Sequence, residues 1–251
     1  MTDARVPVPV SRRAALRLIG GAALLATASV GVAACGAAAA GKGPAAAGKA
    51  WAVTGGSGTN WKKLVSIKGT TATLVMRGDD IWNSADTFTY LDAPCTQKNG
   101  TWICLVQTQD AVNAWTKTGI MARQSLDPGS MHVYIAVTPQ NGVKLQHRDQ
   151  ADASEQGNDN VSSSETVPIW LRLDKQGDNW TAATSTDGKT WGHQTAASTN
   201  PIALGPKYLI GIATTAHDAT QNGYTSVTNL KGFTPLPSTV DAVGTNDTAP
   251  L

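Results

Sequence analysis

The sequence is poor in the side chains that usually bind transition metals. It contains only three cysteines and four histidines among 251 residues, and the histidines are scattered along the chain. Zinc sites need several such ligands at close spacing, so the pattern argues against zinc. Aspartate is plentiful enough for calcium, but no loop has the ligand spacing of a calcium site. We therefore predict no metal site and no cofactor, with calcium as the alternative left open.

The sequence also lacks a basic segment. Its 20 basic and 18 acidic side chains nearly balance. Four arginines but only one acidic residue lie within residues 1–34, so the rest of the chain carries 16 basic and 17 acidic side chains. Proteins that bind nucleic acid cluster lysine and arginine on one surface. We therefore expect no nucleic-acid partner.

The most apolar stretch of the sequence, residues 18–34, is rich in glycine and alanine. It is shorter than the ~20 apolar residues of a membrane-spanning helix, and it suits the hydrophobic part of an export signal. The preceding letters SRRAALR resemble the twin-arginine export signal through Arg12 and Arg13, although Ala15 stands where phenylalanine is usual. We therefore predict an export signal over residues 1–34, with a permanent membrane anchor as the alternative.

The end of this signal resembles a bacterial lipobox. The letters VAAC, residues 32–35, are an aliphatic residue, two small residues and a cysteine, with valine in place of the commoner leucine. We predict that Cys35 is lipidated and anchors the protein in the lipid bilayer, at the outer face of the cytoplasmic membrane. Residues 36–50 contain no aromatic residue and no aliphatic residue larger than alanine, so residues 35–50 form a lipidated tether. The alternatives are a free Cys35 thiol and cleavage at a nearby Ala-x-Ala, which would give a secreted soluble protein.

The two remaining cysteines, Cys95 and Cys104, flank the dipeptide Asn99-Gly100. This dipeptide is typical of a two-residue hairpin turn. Around such a turn, Cys95 would face Cys104 at a non-hydrogen-bonded pair, where the Cα atoms lie about 4.5 Å apart. That separation is within the range of a disulfide. We therefore predict a Cys95–Cys104 disulfide that forms after export, with two facing reduced thiols as the alternative.

Residues 51–233 form the predicted folded domain, and residues 234–251, rich in proline, threonine and small residues, form a flexible tail. Within the domain, hydrophobic and polar residues alternate, as in MHVYIAVT (131–138), and no long helical period occurs. The predicted strands are 71–76, 87–91, 101–106, 131–138, 142–148, 167–173, 180–185, 208–214 and 224–230. Turn residues such as Asn141-Gly142 and Asp187-Gly188 separate them. Many short strands separated by turns predict an antiparallel sandwich or barrel.

Four blocks of the domain carry a resemblance to a known superfamily. They are GDDIWNSADTFTY (78–90), residues 114–148, residues 167–191 and YLIGIATTAHD (208–218). In this order they resemble the concanavalin A-like lectin/glucanase superfamily, in particular a bacterial branch of domains attached to glycoside hydrolases. The resemblance covers residues 61–233. It implies an all-β fold, an antiparallel two-sheet jelly-roll sandwich in a single domain, and it suggests a carbohydrate ligand.

Aromatic residues are used unevenly, with eight tryptophans and four tyrosines but only two phenylalanines. Tryptophan and tyrosine are preferred where one edge of the ring is polar or wet. If the strands were neighbours in one sheet, their non-aliphatic sides would form a face that stacks on sugar rings and binds their hydroxyls. The predicted ligand-binding residues are Lys117, Arg123, His132, Tyr134, Gln146, Arg148, Trp170 and Arg172. The alternative is a polar layer in which the arginines and histidine only satisfy their neighbours.

We expect non-catalytic carbohydrate binding rather than hydrolysis. Glucanases of the resembled superfamily usually carry Glu-x-Asp-x-x-Glu, whereas the only glutamates here, Glu155 and Glu165, lie in a polar loop. Lyases of this fold use tyrosine or histidine as base and arginine or glutamine to neutralise a uronate, so His132 and Tyr134 keep a lyase as an alternative. A protein-binding or structural envelope lipoprotein is the third class.

Overall fold

The computed structural model describes residues 51–54, 64–154, 156–236 and 241–242. Over these ranges the chain forms strands and turns, without a helix, and it therefore holds no helix that could cross a membrane. All of these residues belong to one compact unit. The predicted export signal with Arg12 and Arg13, the lipidation site Cys35 and the tether lie outside the described residues, as does most of the predicted tail.

The strands of the described ranges form two layers. They are β1 (Ala52–Thr54), β2 (Val65–Lys68), β3 (Thr71–Gly78), β4 (Thr89–Cys95), β5 (Asn99–Gln109), β6 (Lys117–Arg123), β7 (His132–Val137), β8 (Val143–Arg148), β9 (Gly157–Ser162), β10 (Ile169–Gln176), β11 (Asn179–Ser185), β12 (Thr195–Ala196), β13 (Tyr208–Thr215), β14 (Asp218–Lys231) and β15 (Asp241–Ala242). The first sheet has the order β15-β1-β4-β13-β6-β7-β8-β9, and the second has the order β12-β11-β10-β5-β14-β3-β2. Neighbouring strands run antiparallel apart from the parallel pair β1–β15. The predicted all-β, two-sheet jelly-roll sandwich is confirmed.

The main core lies between the two sheets and follows from the alternation of the strands. On β7, Val133, Ile135 and Val137 point into it, and on β10 Leu171 and Leu173 do so. Each fully buried aliphatic side chain of this size contributes about 1.5–3 kcal/mol. The large rings at one end of the core also pack together, since Trp102 stacks on Trp180 with ring centroids 6.2 Å apart.

The outer face of the first sheet is also covered, by residues 79–88, which we call the cover segment. Ile81 and Phe88 of this segment pack against Tyr90, Met121 and Tyr134, and so form a second, smaller hydrophobic cluster. Because both faces of the first sheet are covered, every residue of β6 and β7 is buried. The cover segment therefore decides which polar side chains of this face reach solvent.

The predicted disulfide between Cys95 and Cys104 was wrong. Cys95 ends β4 in the first sheet, whereas Cys104 lies on β5 in the second sheet, so the two strands do not form a hairpin. Asn99-Gly100 begins β5, where it pairs with the end of β10, and neither residue has a positive φ. Cys104 is a free, fully buried thiol whose pKa is raised by burial. The Asn-Gly signal therefore led to a wrong partner strand.

Candidate functional site

Six of the eight predicted ligand-binding residues lie on the outer face of the first sheet. Register places Arg123 opposite His132, and His132 opposite Arg148. Tyr134 lies opposite Gln146 two residues further along, and Lys117 occupies the same side of β6 as Arg123. The strand alternation thus correctly grouped these six residues.

The expectation that all eight residues share one face was wrong. Trp170 and Arg172 lie on β10, in the second sheet. The Arg172 Nε lies 2.7 Å from the Asp174 Oδ2, and its guanidinium lies 5.7 Å from the centroid of Trp191. The ring of Trp170 is close to Gly188, where an added Cβ would come within 2.6 Å of it. The side chains of both predicted residues therefore contact the second sheet and the loop after β11.

A buried ion cluster surrounds Asp86 of the cover segment. The Arg123 Nη1 donates to the Asp86 Oδ2 at 2.5 Å, and the Arg148 Nη2 donates to the Asp86 Oδ1 at 2.6 Å. The His132 Nδ1 lies 3.6 Å from the Asp86 Oδ2. All four side chains are at most 1% exposed. We call these four residues the Asp86 cluster, and none of them can touch a ligand from solvent in this arrangement.

The charge states within the Asp86 cluster follow from burial and from the neighbouring charges. Burial lowers the pKa of His132 to about 3, because the charged imidazolium would lose its hydration next to two guanidinium groups. Burial by itself would raise the pKa of Asp86, but protonated His132 and the two arginines outweigh burial and lower it. Near neutral pH the cluster is thus a neutral histidine, a carboxylate and two guanidinium groups.

The Asp86 cluster also holds the loop between β6 and β7 against the sheet. The Arg123 Nη2 donates to the carbonyl oxygens of Asp127 and Pro128 at 2.5 and 2.8 Å. The Arg148 Nη1 donates to the Ser130 carbonyl oxygen at 3.0 Å. For Arg123, Arg148 and His132, the alternative that they only satisfy their neighbours is therefore the one observed.

Tyr134 is sealed in the same face. It is fully buried, and its hydroxyl donates to the Ala213 carbonyl oxygen at 2.9 Å. Burial raises the pKa of Tyr134 well above its ordinary value. A catalytic base must reach the proton that it removes, so the geometry does not favour Tyr134 or His132 as the base of a lyase.

Lys117 and Gln146 differ from the other six, because they line an open cleft of about 290 Å³ at the end of the cover segment. The described residues that line it are Asp80, Trp82, Trp115, Lys117, Gln146, Asn158 and His217. The volume of the cleft is close to the lower limit of the ~300–1,000 Å³ that is typical of small-ligand pockets. The cleft is the candidate site.

Asp80 is the central polar group of the cleft. Its Oδ1 accepts a hydrogen bond from the Lys117 Nζ at 2.6 Å, and its Oδ2 lies 3.2 Å from the His217 Nε2. Lys117 also donates to the Ile81 carbonyl oxygen at 3.1 Å. Burial lowers the pKa of Lys117, and the adjacent Asp80 opposes that effect. The carboxylate thus ties a strand of the sheet to the turn that carries His217.

Gln146 presents a hydrogen-bond acceptor that the protein leaves unused. Its Nε2 donates to the Asn158 Oδ1 at 3.1 Å, whereas its Oε1 is buried and has no partner. A buried acceptor without a partner costs about 1–3 kcal/mol. Such a group on the wall of a cleft is suited to receive a hydrogen bond from a ligand.

Two indole rings complete the walls of the cleft. Trp82 and Trp115 are both half-buried, and the Lys117 Nζ lies 5.7 Å from the centroid of Trp82. Half-buried tryptophans offer a flat apolar surface next to polar groups, which is the combination that sugar rings require.

The backbone near the cleft is unusual at two positions. His217 has a φ of 56° and Asn83 has a φ of 58°. This left-handed region is uncommon for residues other than glycine and is enriched at functional sites. Asparagine and histidine are among the non-glycine residues that adopt this region most readily, and in His217 it accompanies the contact with Asp80.

Sequence reasoning missed five of the seven cleft residues, which are Asp80, Trp82, Trp115, Asn158 and His217. Asp80 and Trp82 lie in the block GDDIWNSADTFTY. This block has no hydrophobic period that would predict its packing over the outer face of the first sheet. Trp115, Asn158 and His217 lie at or beyond strand ends, where alternation carries no information on neighbours. The excess of tryptophan over phenylalanine was the one usable signal.

The described part of the cleft does not contain the carboxylate pair of a glycosidase. Such enzymes place two carboxyl groups about 5–9.5 Å apart across the scissile bond. Asp80 is the only carboxylate among the lining residues that the structure describes, and both of its oxygens have partners. Glu155 lies outside the described residues. The described residues also contain no group of three or more potential metal ligands.

No protein-family profile and no curated protein matches the chain. Among solved structures, a functionally unknown protein from Saccharomyces cerevisiae is 16% identical, with a TM-score of 0.52 over 72% of this chain and 95% of that chain. A β-1,3-1,4-glucanase from a mouse hindgut metagenome is 10% identical, with a TM-score of 0.44 over 75% and 94% of the two chains. An alginate lyase of polysaccharide lyase family 7 is 10% identical, with a TM-score of 0.41 over 73% and 93%. At this identity, the similarity to the yeast protein shows the sandwich fold alone.

Proposed function

We propose that this protein is an exported, membrane-anchored lipoprotein whose β-sandwich binds carbohydrate without cleaving it. The observation that carries the proposal is the cleft, in which Trp82 and Trp115 stand beside the unpartnered Oε1 of Gln146. Stacking surfaces next to an unpartnered acceptor match the apolar faces and hydroxyl groups of a sugar.

The non-catalytic part of the proposal rests on the state of the groups that could perform chemistry. Asp80 is held by Lys117 and His217. Tyr134 and His132 are sealed below the surface. Among the described lining residues, the one carboxylate is engaged by Lys117 and His217, so the pair of free carboxyl groups that a glycosidase needs is not present there.

The test is retention of the purified protein on insoluble and immobilised polysaccharides, with Trp82→Ala and Trp115→Ala beside the wild type. Loss of either ring should weaken retention at least about tenfold, equal to ~1.4 kcal/mol. Trp191→Ala is the matched control, because Trp191 is another half-buried tryptophan, in the loop after β11 of the second sheet. It should leave retention unchanged.

Two outcomes would contradict carbohydrate binding at the cleft. Retention on none of the polysaccharides would favour the protein-binding or structural alternative. Equal losses of retention for Trp191→Ala and Trp82→Ala would show that the polysaccharide does not bind specifically at the cleft. Release of unsaturated sugars from uronate polymers would instead establish the lyase alternative.

Anchoring is tested separately, in cells. The Cys35→Ala variant should lose labelling by a palmitate analogue and leave the membrane fraction. Replacement of Arg12 and Arg13 by lysine should block export of the whole protein. Unchanged labelling in Cys35→Ala would contradict the lipid anchor.

A further inference from the structure

We infer that the cleft is selective for neutral glycans over uronates and other acidic glycans, and that Gln146 recognises one hydroxyl of the bound sugar. This inference rests on the proposed carbohydrate binding and names the chemical class of its ligand. It is carried by the charge pairing within the cleft and by the unpartnered buried acceptor of Gln146.

The first observation is that the described residues that line the cleft offer no uncompensated cation from lysine or arginine. Lys117 is the only lysine or arginine among these described residues, and it donates to Asp80 at 2.6 Å. Lys117 is 2% exposed, whereas Asp80 is 19% exposed, so the carboxylate is the more accessible member of the pair. A uronate carboxylate needs a free guanidinium or ammonium group to offset its desolvation.

The second observation is that Asp80 would repel an acidic sugar. A ligand carboxylate beside the exposed side of Asp80 would bring two like charges together in a partly desolvated site, and such contacts discriminate strongly against a ligand. Lys144 is the next cation on this face of β8, but it lies outside the lining and donates to the Asn160 Oδ1 at 2.8 Å. The arrangement therefore combines an attraction for hydroxyl groups with a repulsion of acids.

The third observation concerns Gln146. Its unpartnered Oε1 can only accept a hydrogen bond, so it requires a donor on the ligand. A neutral sugar supplies hydroxyl donors around its ring, whereas an ionised carboxylate supplies only acceptors. Sites with a buried polar group of this kind reject ligands that leave it unpaired.

The experiment compares retention of the full chain on two sets of immobilised polysaccharides at 50 and 500 mM NaCl. The neutral set is mixed-linkage β-glucan, xylan and mannan, and the acidic set is polygalacturonate and alginate. We expect retention on at least one neutral polymer, unchanged between the two salt concentrations because no net ion pair forms. Retention on the acidic polymers should be at least about tenfold weaker. Lys144→Gln should leave the neutral retention unchanged.

The role of Gln146 is tested with Gln146→Met, which removes the acceptor at similar volume. Retention on the neutral polymer should fall about tenfold or more, while the melting temperature changes little, because the variant removes an unpaired buried acceptor together with one hydrogen bond to the exposed Asn158. Gln107→Met, at an exposed position of β5, is the matched control and should retain wild-type binding. If Gln146→Met does not fold, Gln146→Leu also removes the acceptor and should show the same loss of retention.

The outcomes separate this inference from the proposed function. Stronger, salt-sensitive retention on polygalacturonate or alginate would overturn the neutral selectivity while leaving carbohydrate binding intact. Wild-type retention by a folded Gln146→Met or Gln146→Leu variant would overturn the hydroxyl contact. Retention on no polymer of either set would overturn both proposals.

Discussion

At the scale of single residues, the polar side chains of the first sheet divide by whether they lie sealed beneath the cover segment or line the cleft. The guanidinium group of Arg148 donates hydrogen bonds to the Asp86 carboxylate and to backbone carbonyl oxygens. Gln146, two residues before it on the same face, keeps a free acceptor at the cleft. Residue type alone does not distinguish the two cases, because both side chains belong to the same polar stripe of β8. The partner that arrives from the cover segment decides which of them is available to a ligand.

His132 makes stability depend on pH. Its pKa is about 3 in the folded chain and ordinarily ~6.5 in an unfolded one. As the pH falls from about 6.5 towards 3, the unfolded chain takes up a proton that the folded chain does not, so the free energy of unfolding decreases. The slope from this one group is at most about 1.4 kcal/mol per pH unit.

Urea denaturation between pH 7 and pH 4 would measure this dependence. The wild type should lose stability on acidification, and His132→Gln should lose less over the same range, because glutamine takes up no proton. Asp86, whose pKa is lowered, adds its own loss only below its ordinary range near pH 4. Parallel curves for the two proteins would contradict the assignment to His132.

At the scale of elements, the cover segment is the decisive feature. Residues 79–88 bring Asp80 and Trp82 to the cleft and Asp86 to the two buried arginines. Its hydrophobic contacts come from Ile81 and Phe88, which pack on the outer face of the sheet. Asp86 therefore acts as a positioning residue for the cleft, because it fastens the segment that carries two of the lining side chains.

Removing the Asp86 carboxylate should destabilise the protein strongly. In the described part of the chain, Asp86 is the only carboxylate that pairs with Arg123 and Arg148, so Asp86→Asn leaves two buried guanidinium groups without an anion. Loss of one partner from a buried ion pair costs about 3–5 kcal/mol. Urea denaturation at pH 7 would measure this change in the free energy of unfolding.

Asp174→Asn is the matched control for this prediction. Asp174 pairs with Arg172 on the second sheet, where the two side chains are 16% and 28% exposed. Pairs that solvent reaches contribute at most about 1 kcal/mol. Similar losses for Asp86→Asn and Asp174→Asn would show that burial does not govern the Asp86 cluster.

At the scale of the whole molecule, a polar contact joins the two sheets at one end of the sandwich. The His147 Nε2 on β8 lies 3.0 Å from the Asp159 Oδ2, and its Nδ1 lies 3.0 Å from the Thr199 Oγ1. Thr199 follows β12 of the second sheet, so the imidazole bridges the layers. Gly157 lies flat against this ring, because an added Cβ would come within 1.9 Å of it.

Breaking this bridge should loosen the end of the sandwich. His147→Ala removes both contacts and leaves a cavity, for which we expect a loss of about 2–4 kcal/mol in the free energy of unfolding. His193→Ala, at an exposed histidine, should change it by less than about 0.5 kcal/mol. Thermal and urea denaturation would measure both, and equal effects would contradict the bridge.

The strands were largely readable from the sequence, because alternation and turn residues act over a few neighbouring positions. MHVYIAVT became β7, and Gly142 and Gly188 occupy turns with positive φ. The same local information assigned Lys117, Arg123, His132, Tyr134, Gln146 and Arg148 to the polar side of their strands. It could not assign their exposure, since that depends on a covering segment far along the chain.

The sequence by itself determined the all-β class, the strand periods and the polar stripe of β6, β7 and β8. Only the tertiary structure decided that Cys95 and Cys104 belong to different sheets, that Trp170 and Arg172 lie away from the other predicted residues, and that the Asp86 cluster is sealed. The physical reason is that alternation defines the two faces of one strand, whereas neighbouring strands and covering segments are selected by long-range packing.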